Sequence, residues 1–419
     1  MRVVPLGVEP SSPPLGVPAP SPAPRFRWVA LSLATAGHAF GSIAALAVAP
    51  LAPFLLDAFG LSRARVGWLL PAVYLGGVLM AVPAGWLTER RGVGLPLAGG
   101  LVTVGAMAAL AAGAPSFPAL LACLVLAGFG FSVLNPTTGK AVYDWFPARE
   151  RGVAMGIKQA GLTLGGIVAA LSLPPIAAAL DWRIAMDTAG AAAIIMALVV
   201  VLAYRAPAVR HAARPAAPAP FSALAPFLRR RGVAVIFGAG LALSIAQSSL
   251  LGYLVLFARE TFAISSVEAA RLLALAHLGG VAGRLGWGVV SDRLFFGRRR
   301  PGLAINALIG AAAYVCFAFG DRWPLGAAVV LAFVAGVGAF GWVGLYFALV
   351  AEIGGAASAG LLTGLATVFA WSGVLVGPPL FGWMLASTDS YRLPWLVLAA
   401  ISVGVAAVLP RLRPLVDRG

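Results

Sequence analysis

Long apolar runs, separated by short polar, glycine-containing or proline-containing breaks, follow one another along almost the whole chain. A helix needs about 20 apolar residues to cross the hydrocarbon core of a bilayer, and the pattern contains twelve runs of about that length. The predicted spans are 28–55, 66–87, 95–113, 117–145, 152–177, 184–204, 232–257, 267–290, 302–320, 325–350, 359–384 and 393–410. The pattern therefore predicts an all-α membrane protein with twelve transmembrane helices.

The longest polar stretch inside the chain is rich in proline and ends in three arginines. Such a composition favours a linker over a packed element. We therefore predict five segments: a disordered cytoplasmic tail over 1–27, an N-terminal six-helix bundle over 28–204, a cytoplasmic linker over 205–231, a C-terminal six-helix bundle over 232–410, and a cytoplasmic tail over 411–419.

Two separate features indicate that the halves are related by duplication. The charged break Gly85–Gly92 recurs as Gly288–Arg293, at an offset of 203 positions from 85 to 288. The pair Pro174-Pro175 in the fifth span recurs as Pro378-Pro379 in the eleventh, at an offset of 204 from 174 to 378. Internal repeats of this size are typical of transporters, whose substrate site lies between the repeats. The sequence thus predicts two pseudo-symmetric halves.

Composition supports the membrane assignment and excludes several other classes. Apolar residues make up 61% and charged residues 11% of the chain, against roughly 45–50% and 25% in soluble domains. The net charge of +16 would suggest nucleic acid in a soluble protein, but the basic residues stand at span ends, so we expect a lipid bilayer and no nucleic acid. Cys123 and Cys316 lie in separate apolar runs, which predicts no disulfide framework and no metal site. No nucleophile–base pair appears, so neither an enzyme nor a cofactor is expected.

The arginines at span ends predict the orientation, because cytoplasmic loops carry an excess of basic residues. With the N-terminus in the cytoplasm, the outer side keeps only Arg63, Arg65, Arg183, Arg259, Arg322 and Arg392. We therefore expect a multi-pass protein of the inner (plasma) membrane with both termini in the cytoplasm.

The break Gly85-Trp-Leu-Thr-Glu89-Arg90-Arg91-Gly92 resembles the signature between the second and third spans of the major facilitator superfamily, and Gly288–Arg293 resembles its weaker copy. The resemblance implies two bundles that rock about a central site. It also implies a cytoplasmic conformational latch formed by Gly85, Glu89, Arg90, Arg91, Gly288, Asp292 and Arg293. The alternative interpretation is that these arginines only anchor the topology.

A second resemblance bears on the cargo. The stretch from Asn135 to Gln159 is similar to the corner between spans four and five of bacterial facilitators that carry organic anions. The pair Gly283-Arg284 resembles the eighth-span arginine with which monocarboxylate-type and oxalate-type facilitators hold a carboxylate. Arginine suits that role because its planar fork binds a carboxylate bidentately. The glycine-proline motif of drug–proton antiporters is missing from span five.

Charges inside the spans are the strongest candidates for function, since each costs at least about 2.5–3.5 kcal/mol to insert. Arg284 has no acid within one or two turns of its own helix. Lys158 corresponds to Leu362 in the second half, so the fold itself does not require a cation there. Lys140 could line the cavity, or snorkel to the interface and pair with Asp144.

No Asp or Glu lies in the middle third of any predicted span, so a central cavity would attract anions. We expect the substrate contacts to come from Arg284, Lys158, Lys140, Gln159, Asn135, Gln247, Tyr253, Tyr74 and Trp371. His38 and His277 are candidates for proton coupling because imidazole titrates near neutral pH. The alternative for each is a neutral histidine bonded to helix backbone.

These observations predict a monomeric secondary transporter that works by alternating access. The expected cargo is a small organic anion, a carboxylate, moved by proton symport or anion exchange. Two alternatives remain: an efflux facilitator for neutral or amphipathic compounds, and a non-transporting membrane sensor on the same scaffold.

Overall fold

The computed structural model describes residues 26–147, 150–207 and 231–412. Most of the predicted N-terminal tail, linker and C-terminal tail therefore lies outside the described residues. The N-terminal half contains α1 (Phe26–Ala45), α2 (Ala52–Phe59), α3 (Arg63–Val66), α4 (Leu69–Arg91), α5 (Gly94–Ala112), α6 (Phe117–Trp145), α7 (Arg151–Ala179) and α8 (Trp182–Ala203). The C-terminal half contains α9 (Arg231–Phe262), α10 (Ser266–Arg293), α11 (Arg299–Ala318), α12 (Leu325–Phe340), α13 (Trp342–Thr388) and α14 (Arg392–Val408).

Within the described residues, twelve helical spans are long and apolar enough to cross a membrane, which confirms the predicted fold class. The first predicted span is interrupted: α1 ends at Ala45, and α2 begins at Ala52 with a proline in its first turn. The tenth is interrupted at Gly341, between α12 and α13. These interruptions leave helix-end backbone groups free for other partners.

Helix α13 contains the end of the tenth span and all of the eleventh. The chain reverses between them, because Tyr346 and Gly373 lie far apart along α13 and yet contact neighbouring residues of α9. A Cβ added at Gly240 would meet the Tyr346 ring, and one added at Gly373 would lie 2.6 Å from the Leu241 carbonyl oxygen. The eleventh span therefore packs along α9 within the C-terminal half.

Glycine contacts show the duplication in three dimensions. A Cβ at Gly76 of α4 would lie 1.8 Å from the carbonyl oxygen of Val125 on α6. A Cβ at Gly279 of α10 would lie 2.0 Å from the carbonyl oxygen of Phe333 on α12. Gly76 and Gly279 are 203 positions apart, from 76 to 279, and both let a second span meet a fourth span of the same half. Small residues are what allow such close approach of membrane helices.

The two halves are joined by ion pairs at one end of the molecule. We call the end that carries the described chain ends the basic end, and the other the opposite end. At the opposite end, Arg63 contacts Glu260 at 3.0 Å and also pairs with Asp389, while Arg259 contacts Asp57 at 2.8 Å. Each of these pairs joins one half to the other. Every described ion pair at the basic end stays within one half, including Arg27–Glu150, Lys140–Glu89 and Arg299–Asp292. The described ion pairs therefore join the two halves at the opposite end.

Two tyrosines support these contacts at the opposite end: Tyr253 joins the halves, and Tyr391 bonds Glu260 within the C-terminal half. The Tyr253 hydroxyl donates to the backbone oxygen of Arg63 at 2.8 Å, and its ring stacks on Phe381. The Tyr391 hydroxyl donates to Glu260 at 2.9 Å. Burial, and then the neighbouring Glu260 carboxylate, raise the pKa of Tyr391, so this hydroxyl keeps its proton and remains a donor.

We expect Arg63→Gln to weaken closure of the opposite end. The substitution removes both ion pairs of a half-exposed side chain, worth about 1 kcal/mol together, or about a fivefold shift of the equilibrium towards separation. Spin labels on the exposed Ala58 and Ala386 would report it as a longer distance component. Arg183→Gln is the matched control, because Arg183 pairs with Asp181 in its own half. An unchanged distance distribution in Arg63→Gln would contradict the assignment.

Candidate functional site

The first part of the site is a buried lysine on α7. Lys158 is 2% exposed. Its Nζ donates to Asn135 Oδ1 on α6 at 2.5 Å and to Gln159 Oε1 at 3.1 Å. His38 of α1 lies against the backbone of Lys158. All of the described hydrogen-bond acceptors of this ammonium group are neutral amide oxygens.

The second part is an arginine on α10 that contacts both halves. Arg284 Nη1 donates to Thr163 Oγ1 on α7 at 2.6 Å, and Nε donates to the backbone oxygen of Phe340 at 3.2 Å. Phe340 is the last residue of α12. Carbonyls at a helix C-terminus lack partners in their own helix and attract positive charge, so the interruption at Gly341 creates an acceptor for the guanidinium group.

Aromatic side chains lie near the guanidinium group. Tyr74 of α4 is close enough to Arg284 for the two groups to interact electrostatically. The Tyr74 ring contacts the Trp371 ring edge-on, with 5.7 Å between the centroids. The imidazole of His277 stacks on Phe340 at 5.2 Å. The structure therefore brings three predicted site residues, Tyr74, Trp371 and His277, together with Arg284.

Helix α7 connects the lysine and the arginine parts of the site. Lys158 and Thr163 are five positions apart, which is about 7.5 Å of helix rise. A Cβ at Gly166 would lie 2.6 Å from the His277 ring, so this glycine allows α7 and α10 to approach. Helix α7 thus carries the lysine itself and the threonine that Arg284 contacts, and the described hydrogen-bond partners of both cations are neutral.

Three other predicted contact residues have described partners other than the two cations. Gln247 accepts a hydrogen bond from the Trp342 indole at 3.0 Å, on the C-terminal half. Tyr253 joins the two halves at the opposite end, through its hydrogen bond to the backbone oxygen of Arg63. Lys140 pairs with Glu89 at 3.6 Å and with Asp144 at 3.4 Å, so its charge is compensated by acids. We therefore remove Tyr253 and Lys140 from the proposed substrate contacts.

The predicted latch residues lie at the basic end, and their acids pair within their own halves. Glu89 contacts Lys140, whereas Asp292 contacts Arg299 Nη1 at 2.5 Å. Arg299 also contacts Glu352 at 3.0 Å. Arg90 stands over the Trp86 ring at 4.4 Å. The other latch residues bring no described ion pair between the halves: Gly85, Arg91, Gly288 and Arg293. A latch that joins the halves at this end stays a prediction.

Sequence reasoning did not single out Thr163, Phe340 or Arg299. Thr163 is a lone hydroxyl in an apolar helix. Phe340 contacts Arg284 through its backbone oxygen, and the type of side chain at that position does not predict such a contact. Arg299 is the middle residue of a run of three arginines, 298–300, and the sequence does not show which of the three contacts the acids. Among the residues described, no three His, Cys, Asp or Glu side chains gather as metal ligands would.

Comparison with known proteins gives a consistent family. The family model described as Major Facilitator Superfamily matches residues 31–378. The hexuronate transporter of Bacillus subtilis (strain 168) is 23% identical over 390 residues, covering 88% of this chain and 90% of that protein. The galacturonate transporter of Dickeya chrysanthemi is 28% identical over 185 residues, covering 43% of this chain and 52% of that protein. These relatives are transporters, not enzymes.

A solved structure shares the fold. It is a bacterial homolog of the human lysosomal transporter Spinster in an inward-facing and occupied conformation, with a TM-score of 0.77 and 19% identity. The alignment covers 92% of this chain and 96% of that one.

Proposed function

The chain belongs to the major facilitator superfamily, and we propose that it carries a small organic anion, a carboxylate, by alternating access. One observation supports this proposal above the others. Arg284 is a cation at the junction of the halves, Lys158 is a buried cation on α7, and the described hydrogen-bond partners of both are neutral oxygens. A carboxylate would supply the missing countercharge.

The chemistry of the two cations fits such a cargo. A buried charge without a counterion is expensive in a low-dielectric interior, so an anion that binds there gains both Coulombic attraction and charge-assisted hydrogen bonds. We assign the carboxylate to the guanidinium of Arg284, with Lys158 as a second positive centre. Asn135 and Gln159 could orient polar groups of the cargo, and Tyr74 and Trp371 could pack against its apolar face. Two relatives whose names refer to sugar acids agree with this choice.

The mode of transport is part of the proposal. We propose proton symport or anion exchange, with His38 and His277 as candidates for coupling because each is buried beside one of the two cations. We further propose a monomer in the inner membrane with the basic end in the cytoplasm, on the strength of the arginine distribution.

Thermal unfolding of the purified protein in detergent tests the proposal with a matched pair of probes. Galacturonate and galactose are both sugars, but only galacturonate carries a carboxylate. We expect galacturonate at about 100 times its Kd to stabilise the folded protein by about 2.7 kcal/mol and galactose to have little effect. The measurement is the melting temperature at each probe concentration.

The same assay distinguishes the proposed function from the alternative of an efflux facilitator. An efflux facilitator for amphipathic compounds would be stabilised by tetraphenylphosphonium, an amphipathic cation, and not by galacturonate. That result would contradict the proposed cargo class while leaving the family assignment intact.

A further inference from the structure

Thr163 occupies a position that the proposed function does not yet explain. It is 3% exposed and lies on α7 in the N-terminal half. Its hydroxyl accepts a hydrogen bond from Arg284 Nη1 at 2.6 Å, from α10 in the C-terminal half. The bond therefore crosses the junction of the halves at the guanidinium group to which the cargo is assigned.

The Thr163 hydroxyl also differs from other buried threonine hydroxyls in the structure. Thr137 and Thr138 of α6 donate to backbone oxygens of their own helix, each at 2.6 Å. Such back-bonding is the ordinary way for a hydroxyl inside a helix to be satisfied. Thr163 instead accepts a hydrogen bond from a charged donor of another helix. Its hydroxyl therefore helps to satisfy the guanidinium group of Arg284.

We propose that Thr163 takes the place of the cargo carboxylate at Arg284 when the carrier is empty. The inference rests on the proposed function. The Thr163 hydroxyl oxygen occupies Nη1, one of the terminal nitrogens with which a guanidinium fork holds a carboxylate, so it competes with a carboxylate oxygen for this end of the side chain. A carboxylate accepts from the guanidinium fork more strongly than a neutral hydroxyl does, so bound cargo displaces Thr163. When the cargo leaves, Thr163 returns, while Nε remains on the Phe340 carbonyl.

This exchange of partners matters when the empty carrier reorients. Between its two open states the carrier passes through a state that excludes water from Arg284. A buried charged donor without an acceptor is costly there, and Thr163 supplies the acceptor. Net transport requires this empty step in every cycle, whereas exchange of cargo for cargo avoids it. Thr163 is therefore a positioning residue for the return of the empty carrier.

The experiment compares two modes of transport of radiolabelled galacturonate in proteoliposomes. Net uptake is measured into vesicles without galacturonate, and exchange into vesicles preloaded with the unlabelled compound. In Thr163→Val, which keeps the shape but removes the acceptor, we expect the ratio of net uptake to exchange to fall about tenfold. Thr163→Ser keeps the hydroxyl and should restore the parental ratio. Thr138→Val is the control, because the described bonds of that hydroxyl stay within α6.

Several results would overturn the inference. Thr163→Val could leave the ratio unchanged or reduce both modes equally, or Thr163→Ser could fail like Thr163→Val. A parent that exchanges galacturonate without any net uptake would also refute it, because its empty carrier would not reorient. In each of these cases the proposed function stands. A parent that moves galacturonate in neither mode refutes the proposed function and the inference together.

Discussion

Arg284→Lys should abolish most galacturonate binding while leaving the protein folded. Lysine keeps the positive charge but lacks the planar fork, so it loses bidentate contact with a carboxylate. It also loses the geometry in which Nε bonds Phe340 while Nη1 bonds Thr163. Each charge-assisted hydrogen bond is worth about 1.5–3 kcal/mol. We therefore expect Kd to rise about tenfold to a hundredfold, measured by titration calorimetry on the purified protein.

A matched control lies on the same helix. Arg271 is an exposed arginine of α10, beside Glu268 near the helix start. Arg271→Lys makes the same chemical change away from the proposed site and should leave Kd within about twofold of the parent. If Arg284→Lys and Arg271→Lys bind galacturonate equally well, the assignment of the carboxylate to Arg284 is wrong. Arg284→Gln, which removes the charge, should bind more weakly than Arg284→Lys.

The fold was predictable because its determinants are local and repeated. Twelve apolar runs are long enough to predict the membrane spans directly. The offset of 203 positions between Gly85 and Gly288 indicates the duplication. The same offset relates Gly76 to Gly279, whose close contacts hold equivalent helix pairs. Interruptions inside spans were harder to predict. Nothing in the hydropathy of the tenth span distinguishes the glycine at 341, where the helix breaks, from its other glycines.

The sequence predicted which charged residues form the candidate site, but not which residues contact each of them. A cation in an apolar run is conspicuous, and the absence of deep acids follows from reading the chain. Which partners each cation meets depends on how the helices rotate and cross. Lys140 and Lys158 look alike in the sequence, each about two turns inside a span. Folding gives Lys140 the carboxylates of Glu89 and Asp144, and gives Lys158 only amide oxygens among its described acceptors.

That difference between the two lysines leads to the second large expected effect. Lys158→Leu should keep the fold and lose the response to anions. The equivalent position of the C-terminal half holds Leu362, which is fully buried, so leucine suits this place in the bundle. Removing a buried charge without a counterion offsets the loss of a donor to Asn135 and Gln159. We expect an unchanged or higher melting temperature without ligand, and no further increase on adding galacturonate.

Lys140→Leu provides the crossed comparison, since it removes a charge that acids already compensate. Glu89 and Asp144 would each lose one positive partner, and leaving a half-buried carboxylate short of a cation is destabilising. The melting temperature without ligand should fall in Lys140→Leu, while the increase with galacturonate persists. Lys158→Leu should show the reverse pair of results.

If both variants keep the galacturonate response, the ammonium of Lys158 is structural and the cargo contacts Arg284 alone. If both lose it, the two lysines act through the stability of the bundle, and the distinction between a compensated and an uncompensated cation has no functional meaning.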